Sequence, residues 1–411
     1  MSDLKVELDP TEAGFDPERL ARIDAHFASY VDDGRLPGWL VLVSRGGGVV
    51  HLATYGRRDT EAGLPVEVDT LFRVYSMTKP VTSVAAMMLY EEGAFELKDE
   101  VSRFIPAFAD MRVYRSGSAM NAVTGPATEP IRIWHLLTHT SGLTYGFHHA
   151  HPVDAMYREA GFEWGTPPKQ DLAACCDVLA SLPLLFQPGA EWNYSMSTDV
   201  LGRVVEVASG TTLDRYFQER IFEPLGMTDT AFSVPASDHD RLAALYGASP
   251  RSRRAVRLDA MGDAVKKQPT YLSGGGGLVS TAADYHRFTQ MLRGAGALDG
   301  VRLLGPRTLR YMTRNHLPGG TDLEHFGRPL FAETTFDGVG FGLGFSVLAD
   351  PAANRVLSTA GEFGWGGAAS TVFWVDPVED VTAVFLTQLL PSSTHPIRSQ
   401  LRQLVYQALV D

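Results

Sequence analysis

Apolar residues recur at two different periods along the 411-residue chain, and these periods predict its helices and strands. Residues 16–34 have apolar positions at helical spacing, an acidic start and a glycine at the end, which predicts a helix. Residues 38–56 hold two apolar runs around a glycine-rich turn, which predicts a β-hairpin. A run of small apolar residues follows Ser76 and predicts a helix that ends near Gly93.

The middle of the chain has a different pattern from its two ends. From about Lys98 to Gly210, helical segments such as 132–143 and 171–186 alternate with prolines, which predicts a mainly helical insertion. Further helices are expected at 199–210, at 212–226, near 283–293 and near 306–315. Strands are expected at 340–350, 355–361, 369–377 and 381–390, followed by a last helix at 396–410. This order of helices and strands along the chain predicts an α+β fold with one antiparallel sheet built from both chain ends.

Composition narrows the class of protein. A hydrophobic content of 45% with 20% charged residues is typical of a globular chain with a sizeable core. The net charge is −12 and the basic residues are scattered apart from Arg251–Arg257, so we expect no nucleic-acid partner. The cysteines, Cys175 and Cys176, are adjacent and cannot join distant segments, which fits a reducing compartment. No signal-peptide pattern and no membrane-length apolar run is found, so we expect a soluble, cytoplasmic protein without a membrane partner.

Ser76 and Lys79 are the first candidates for chemistry. Residues three apart share one face of a helix, so the Lys79 amine could reach the Ser76 hydroxyl. Pro80 is tolerated only in a first helical turn, which places Ser76 at the positive end of the helix dipole. The small apolar turns that follow would bury the lysine and favour its neutral, basic amine. Taken alone, this spacing is common by chance and fits an N-cap serine beside a solvated lysine better.

Two later segments offer partners for this pair. Tyr194 lies in a polar loop before a helix, where a phenol near a lysine could shuttle protons. Trp365-Gly366-Gly367 stands at the head of a strand-like run, where the glycines would let a substrate lie against a strand edge. The backbone N–H of Ala368 could then be a second oxyanion donor beside that of Ser76. A structural tyrosine and a core tryptophan are the alternative interpretations of Tyr194 and Trp365.

Five segments follow one another along the chain, and the resemblance that they carry covers most of it: "LFRVYSMTKP", "IRIWHLLTHTSGL", "FQPGAEWNYS", "IFEPLGMTDT" and "GGGGLVSTAADYHRF". This set resembles the serine β-lactamase-like superfamily, especially its class C branch and the family VIII carboxylesterases. The resemblance implies that Ser76 is the acylated nucleophile, Lys79 the general base and Tyr194 the proton carrier to the leaving group. It also implies an oxyanion hole from the N–H groups of Ser76 and Ala368.

The same resemblance implies a β-lactamase/transpeptidase-like architecture. Residues 1–95 and 205–411 would form a sandwich domain from both chain ends, and residues 96–204 a mainly helical domain. The active site would lie in the cleft between them.

The sequence departs from the penicillin-recognising members at two motif positions. Their third element carries Lys-Thr-Gly or His-Thr-Gly, whereas this chain has Trp365-Gly366-Gly367 without a cation. Met196 replaces the asparagine of the Tyr-x-Asn element. An apolar tryptophan suits an uncharged ester better than an anionic lactam. We therefore expect hydrolysis of small esters, with short acyl chains by analogy with the family.

Other chemistry is less well supported by the sequence. His135 and His139 share a helix face but lack the glutamate of an H-E-x-x-H motif, and "HHAH" at 148–151 fits a cleft-entrance loop better than a metal site. We expect no metal and no cofactor, and a small-molecule ester as the partner. Alternatives are an acyltransferase of the same fold, a weak β-lactamase or D-amino-acid peptidase, and a catalytically silent ligand-binding sensor.

Overall fold

The computed structural model describes residues 4–164, 169–328 and 335–411. Its largest sheet has eight antiparallel strands, drawn from both chain ends as the sequence predicts. In spatial order they are Val339–Phe341, Ser346–Leu348, Phe363–Gly366, Val372–Asp376, Val381–Leu386, Gly38–Arg45, Gly48–Asp59 and Leu64–Pro65. The α+β prediction is therefore confirmed.

The two chain ends meet where strand Gly38–Arg45 pairs with strand Val381–Leu386. Both strands are apolar on successive residues because both faces of the sheet are covered. On one face, Trp39, Val41 and Val43 pack in a core shared with helices Arg22–Asp32 and Ile397–Tyr406. On the other face, alternate residues such as Leu40 and Leu42 enter the larger core.

The helices with seven or more residues lie on both sides of this sheet and in the middle of the chain. They are Arg22–Asp32, Thr78–Glu91, Pro152–Glu159, Leu172–Ser181, Ser197–Ser209, Ala282–Arg293, Pro306–Met312 and Ile397–Tyr406. Shorter α-helices are Pro17–Leu20, Ile133–Leu137, Leu213–Phe217, Glu223–Leu225, Asp259–Gly262, Leu323–Phe326 and Pro351–Asn354. None of the helices in the described residues is long and apolar enough to cross a membrane.

Helix Thr78–Glu91 is buried on nearly all sides from Thr78 to Leu89. Its small residues, such as Ala85 and Ala86, allow close packing, and it lies against helix Ser197–Ser209. The contact brings the starts of two helices together, with Ser76 just before one and Tyr194 just before the other.

Some expectations about local structure were wrong. The mainly helical stretch contains a β-hairpin, Arg112–Ser116 with Val123–Pro126, whose polar and exposed residues gave no strand pattern. Residues 340–350 form two short strands, because Gly344 has a φ of 94° and turns the chain between them.

Residues 355–361, expected as a strand, contain none. Asp350 caps the short helix Pro351–Asn354 with its carboxylate, and Arg355 ends that helix in the left-handed conformation. The next strand begins only at Phe363. The proposed division of the chain into 1–95 with 205–411, and 96–204, stays a prediction.

Candidate active site

Ser76 lies in a 3₁₀ turn, Tyr75–Met77, that runs directly into helix Thr78–Glu91. Pro80 occupies the first turn of this helix, where its missing N–H breaks no hydrogen bond, so the predicted helix start is confirmed. The Ser76 side chain is half-buried and lines a cavity of about 630 Å³. The hydroxyl is therefore accessible from a cleft and lies near the positive end of a buried helix.

The structure brings Lys79 to Ser76. The lysine is only 2% exposed, and its Nζ lies 3.2 Å from the Ser76 Oγ. The same Nζ donates to the Tyr145 hydroxyl at 3.1 Å and to the Gly275 carbonyl at 2.7 Å. Three acceptors thus hold the amine beside the serine oxygen, at the distance that proton transfer requires.

A buried carboxylate holds the loop that supports Lys79. Asp199, 2% exposed, accepts hydrogen bonds from the Gly275 N–H at 3.1 Å and from the Ser273 hydroxyl at 2.6 Å. A Cβ added at Gly275 would lie 2.4 Å from Asp199 Oδ2, so the backbone approaches the carboxylate too closely for any side chain. The Gly275 carbonyl is thereby fixed where it accepts from Lys79.

Tyr194 is placed beside the lysine, in the loop before helix Ser197–Ser209 as predicted. Its ring centre lies 4.5 Å from Lys79 Nζ, and its hydroxyl oxygen accepts from the Trp365 indole N–H at 3.2 Å. Within the described residues the hydroxyl makes no hydrogen bond to Ser76 or Lys79. The indole therefore orients the phenol of Tyr194, which lines the same cavity as Ser76.

Tyr145 is a site residue that the sequence analysis missed. It belongs to an aromatic stretch that could equally have been core, and no spacing relative to Ser76 points to it. Burial, together with the charge of Asp199 and the neighbouring Tyr194, raises the pKa of Tyr145 well above its usual value. Tyr145 therefore stays a neutral phenol whose oxygen accepts from Lys79.

Two histidines, His139 and His148, pack around Tyr194 and its backbone. The His139 ring lies 5.0 Å from the Tyr194 ring, and its Nδ1 is 3.1 Å from the Ser195 hydroxyl. Burial, then the Lys79 charge, hold the pKa of His139 well below its usual value. His148 Nε2 donates to the Tyr194 carbonyl at 2.7 Å, and burial lowers its pKa as well.

The geometry gives no support to the histidine pair at positions 135 and 139 as a metal site. His135 Nδ1 accepts from the Arg132 N–H at 3.0 Å. Among the described residues, one group of metal-type ligands lies close together: Asp322, His325 and Asp337. There Asp322 caps the helix Leu323–Phe326, and its Oδ1 lies 2.6 Å from the His325 Nδ1.

The third element differs in position from the sequence prediction. Trp365 and Gly366 end the strand Phe363–Gly366, and do not stand at the head of the next one, which starts at Val372. Gly367 then passes so close to the backbone just before Ser76 that a Cβ would lie 2.4 Å from the Val74 carbonyl oxygen. Ala368 follows in the cavity lining, and its N–H makes no hydrogen bond within the described residues.

A cation missed by the sequence analysis lies beside this element. Arg398, from helix Ile397–Tyr406, lines the cavity, and its Nη2 donates to the Gly367 carbonyl at 2.9 Å. Its guanidinium covers Gly366, where a Cβ would lie 2.4 Å from the guanidinium carbon. A cationic side chain therefore lies in the cavity lining next to the third element.

Comparison with known proteins agrees with this fold. The Beta-lactamase family model matches residues 23–407. An uncharacterized protein of Mycobacterium tuberculosis (strain CDC 1551 / Oshkosh) is 40% identical over 364 residues, which cover 88% of each chain. Esterase EstB of Burkholderia gladioli is 33% identical over 419 residues, covering 98% of this chain and 99% of that one.

Among solved structures, EstCE1, described as a hydrolase with promiscuous acyltransferase activity, is similar over 95% of this chain and 99% of its own. The two share 29% sequence identity, with a TM-score of 0.78. Because the family model spans nearly the whole sequence, this chain belongs to the β-lactamase family.

Proposed function

We propose that this protein is a serine carboxylesterase that acts through an acyl-enzyme on Ser76. The observation that carries the proposal is the 3.2 Å contact between Lys79 Nζ and Ser76 Oγ on the wall of an accessible, largely apolar cavity. The likeness to esterase EstB over nearly the full length of both chains supports the same reaction class.

Acylation would begin when Ser76 Oγ attacks the ester carbonyl and gives its proton to Lys79 Nζ. The developing oxyanion would be stabilised by the N–H groups of Ser76 and Ala368. The C–O bond of the ester then breaks, and the leaving alkoxide takes a proton from Tyr194, whose oxygen is held by Trp365. Tyr194 regains a proton from the Lys79 ammonium, whose Nζ lies over its ring.

Deacylation would reverse these roles with water as the nucleophile. Water adds to the acyl carbonyl while losing a proton to the Lys79–Tyr194 pair, and Ser76 Oγ leaves with a proton from Lys79. Tyr145 is a neutral phenol whose oxygen accepts a hydrogen bond from Lys79 Nζ, and it thereby holds the amine in place.

The substrate class follows from the cleft. Its lining includes Tyr145 and Phe147 from residues 96–204, and Gly275 and Trp365 from the rest of the chain. This supports the proposed two-domain division with the site between the domains. An apolar Trp365 where penicillin-recognising relatives carry a cation favours uncharged esters, with short acyl chains as the starting expectation.

The proposal is tested with p-nitrophenyl butyrate and a chromogenic cephalosporin on wild type and Ser76→Ala. We expect ester turnover in the wild type that is lost in the variant, and Lys79→Ala and Tyr194→Phe should each lower kcat by at least about 100-fold. Binding without turnover of either substrate would instead favour the ligand-binding sensor. Near-normal rates in Lys79→Ala or Tyr194→Phe would refute the role given to that residue.

Transfer of the acyl group to an alcohol is a second candidate, favoured by the acyltransferase activity named for the structurally similar EstCE1. An added alcohol should then give a new ester at the expense of the free acid. Opening of lactams is a third candidate, favoured by the match of the chain to the β-lactamase family. A higher kcat/KM for the cephalosporin than for the butyrate ester would rank this activity first.

A further inference from the structure

Five aromatic side chains form a continuous row along the cavity, from solvent to the neighbourhood of Ser76. Successive ring centroids are 5.9, 4.5, 5.4 and 5.5 Å apart, so each ring contacts the next. All five line the same cavity. We call this row the aromatic wall; starting from its exposed end, it comprises Trp164, Phe147, Tyr145, Tyr194 and Trp365.

The outer end of the aromatic wall is exposed. Trp164 is 62% exposed, although one side of its ring stacks on Phe147 at an interplanar angle of 26°. Phe147 in turn stacks on Tyr145 at 19°, so the outer three rings are nearly parallel. A large aromatic side chain left in water at the mouth of an apolar cavity is a ready surface for a flat apolar group.

Other residues of the cavity lining are apolar as well, among them Met261, Val265 and Pro269. A volume of about 630 Å³ lies in the range of pockets that enclose drug-sized molecules. An ester of a short acid with a short alcohol would leave most of that space to water.

The proposed chemistry decides which half of the ester meets the aromatic wall. Tyr194 protonates the leaving oxygen, so the leaving alcohol lies next to Tyr194. From Tyr194 the wall continues outwards through Tyr145 and Phe147 to Trp164. Resting on the proposed esterase function, the geometry points to esters of apolar alcohols that carry two or more rings, with those rings stacked along the aromatic wall.

A series of butyrate esters tests this inference: ethyl, 2-phenylethyl and 2-(4-biphenylyl)ethyl. All three have primary alkoxide leaving groups, so differences in kcat/KM report on binding of the remote rings. We expect kcat/KM to rise by about tenfold for each ring that stacks. Ethyl 4-phenylbutyrate, with its ring on the acyl side, should gain less than 2-phenylethyl butyrate.

Variants at the outer end separate stacking from general hydrophobicity. In Trp164→Ala the preference for the biphenylyl ester over the ethyl ester should fall by about five- to tenfold, and Trp164→Phe should restore most of it. Tyr311, 45% exposed and outside the cavity lining, offers the matched control, because Tyr311→Ala should leave the preference unchanged. An equal preference in wild type and Trp164→Ala, or a stronger gain from the acyl-side ring, would overturn the inference.

Binding measurements keep this test independent of turnover. The biphenylyl ester should bind to Ser76→Ala in calorimetry. Adding Trp164→Ala should weaken that binding by about five- to tenfold, the factor expected for the loss of ester preference. Hydrolysis of ethyl butyrate that survives in Ser76→Ala would refute the proposed function. Loss of that hydrolysis, together with ester binding that is insensitive to Trp164, would refute only the proposed binding of the alcohol rings at the aromatic wall.

Discussion

Gly275→Ala is the substitution whose effect on catalysis follows most directly from the structure. The added Cβ would lie 2.4 Å from Asp199 Oδ2 and 3.1 Å from the Tyr145 hydroxyl. Real Cβ contacts essentially never fall below 3.0 Å, so the loop or the carboxylate must move by at least 3.0 − 2.4 = 0.6 Å. Such a shift displaces the Gly275 carbonyl, which is the shortest hydrogen-bond contact of Lys79 Nζ, at 2.7 Å.

We expect a large loss of kcat with a smaller loss of stability. A displacement of about 1 Å at a catalytic group costs up to about 100-fold in rate, and overpacking a buried site costs about 1–3 kcal/mol of unfolding free energy. The assay is hydrolysis of p-nitrophenyl butyrate at saturating substrate, with thermal unfolding measured on the same samples.

Gly276→Ala is the matched control in the same loop. Its added Cβ would have its nearest neighbours at 3.8–4.0 Å, which is an ordinary contact, so we expect kcat within about threefold of wild type. A Gly275→Ala enzyme with the same kcat as Gly276→Ala would refute the reasoning that this loop positions Lys79.

Three further predictions concern the site and the stability of the fold. Trp365→Phe removes the indole donor to Tyr194, and kcat should fall about fivefold to tenfold in steady-state assays while the melting temperature changes little. Burial raises the pKa of Asp284 from 3.8 to about 6, so the folded state loses stability as pH rises from about 4 to 6. In urea unfolding, Asp284→Asn should remove roughly 1–3 kcal/mol of that pH dependence. Burial lowers the pKa of His135 from 6.5 to about 3, so the stability that the neutral ring contributes is lost as pH falls below about 6.5. His135→Asn keeps an acceptor for the Arg132 N–H. It should reduce the slope of unfolding free energy against pH on the acid side by up to about 1.4 kcal/mol per pH unit.

Much of the fold could be predicted because its signals are local. The hairpin at 38–56, the helix after Ser76 and the last helix each carry their own period, turn glycine or cap. The strand expected at 355–361 failed because the Asp350-Pro351 helix start, itself a local signal, was not recognised. The polar hairpin in the middle of the chain lacks a hydrophobic face, so its pattern could not reveal it.

The candidate site was less predictable, because its contacts join distant parts of the chain. The motif residues Ser76, Lys79, Tyr194 and Trp365 do meet, at the distances given above. Asp199 and the Ser273–Gly277 loop are 74 or more positions apart in sequence, so no motif spacing predicts the hydrogen bonds between them.

Arg398 is a second example of a site contact between distant parts of the chain that the sequence could not predict. It reaches Gly367 from a helix 31 positions later, so tertiary packing places this cationic side chain beside the third element. Motifs can therefore suggest the reacting groups, whereas the groups that hold them in place come only from the structure.

The central claim is that Ser76 forms a covalent acyl-enzyme, and a p-nitrophenyl alkylphosphonate tests it most directly. Attack by Ser76 Oγ would release one equivalent of p-nitrophenol and leave a stable phosphonyl group on the serine. We predict a single mass adduct that maps to the peptide containing Ser76, with esterase activity lost in proportion to labelling. A protein that keeps its activity after full labelling, or that carries the adduct on another residue, would contradict the account.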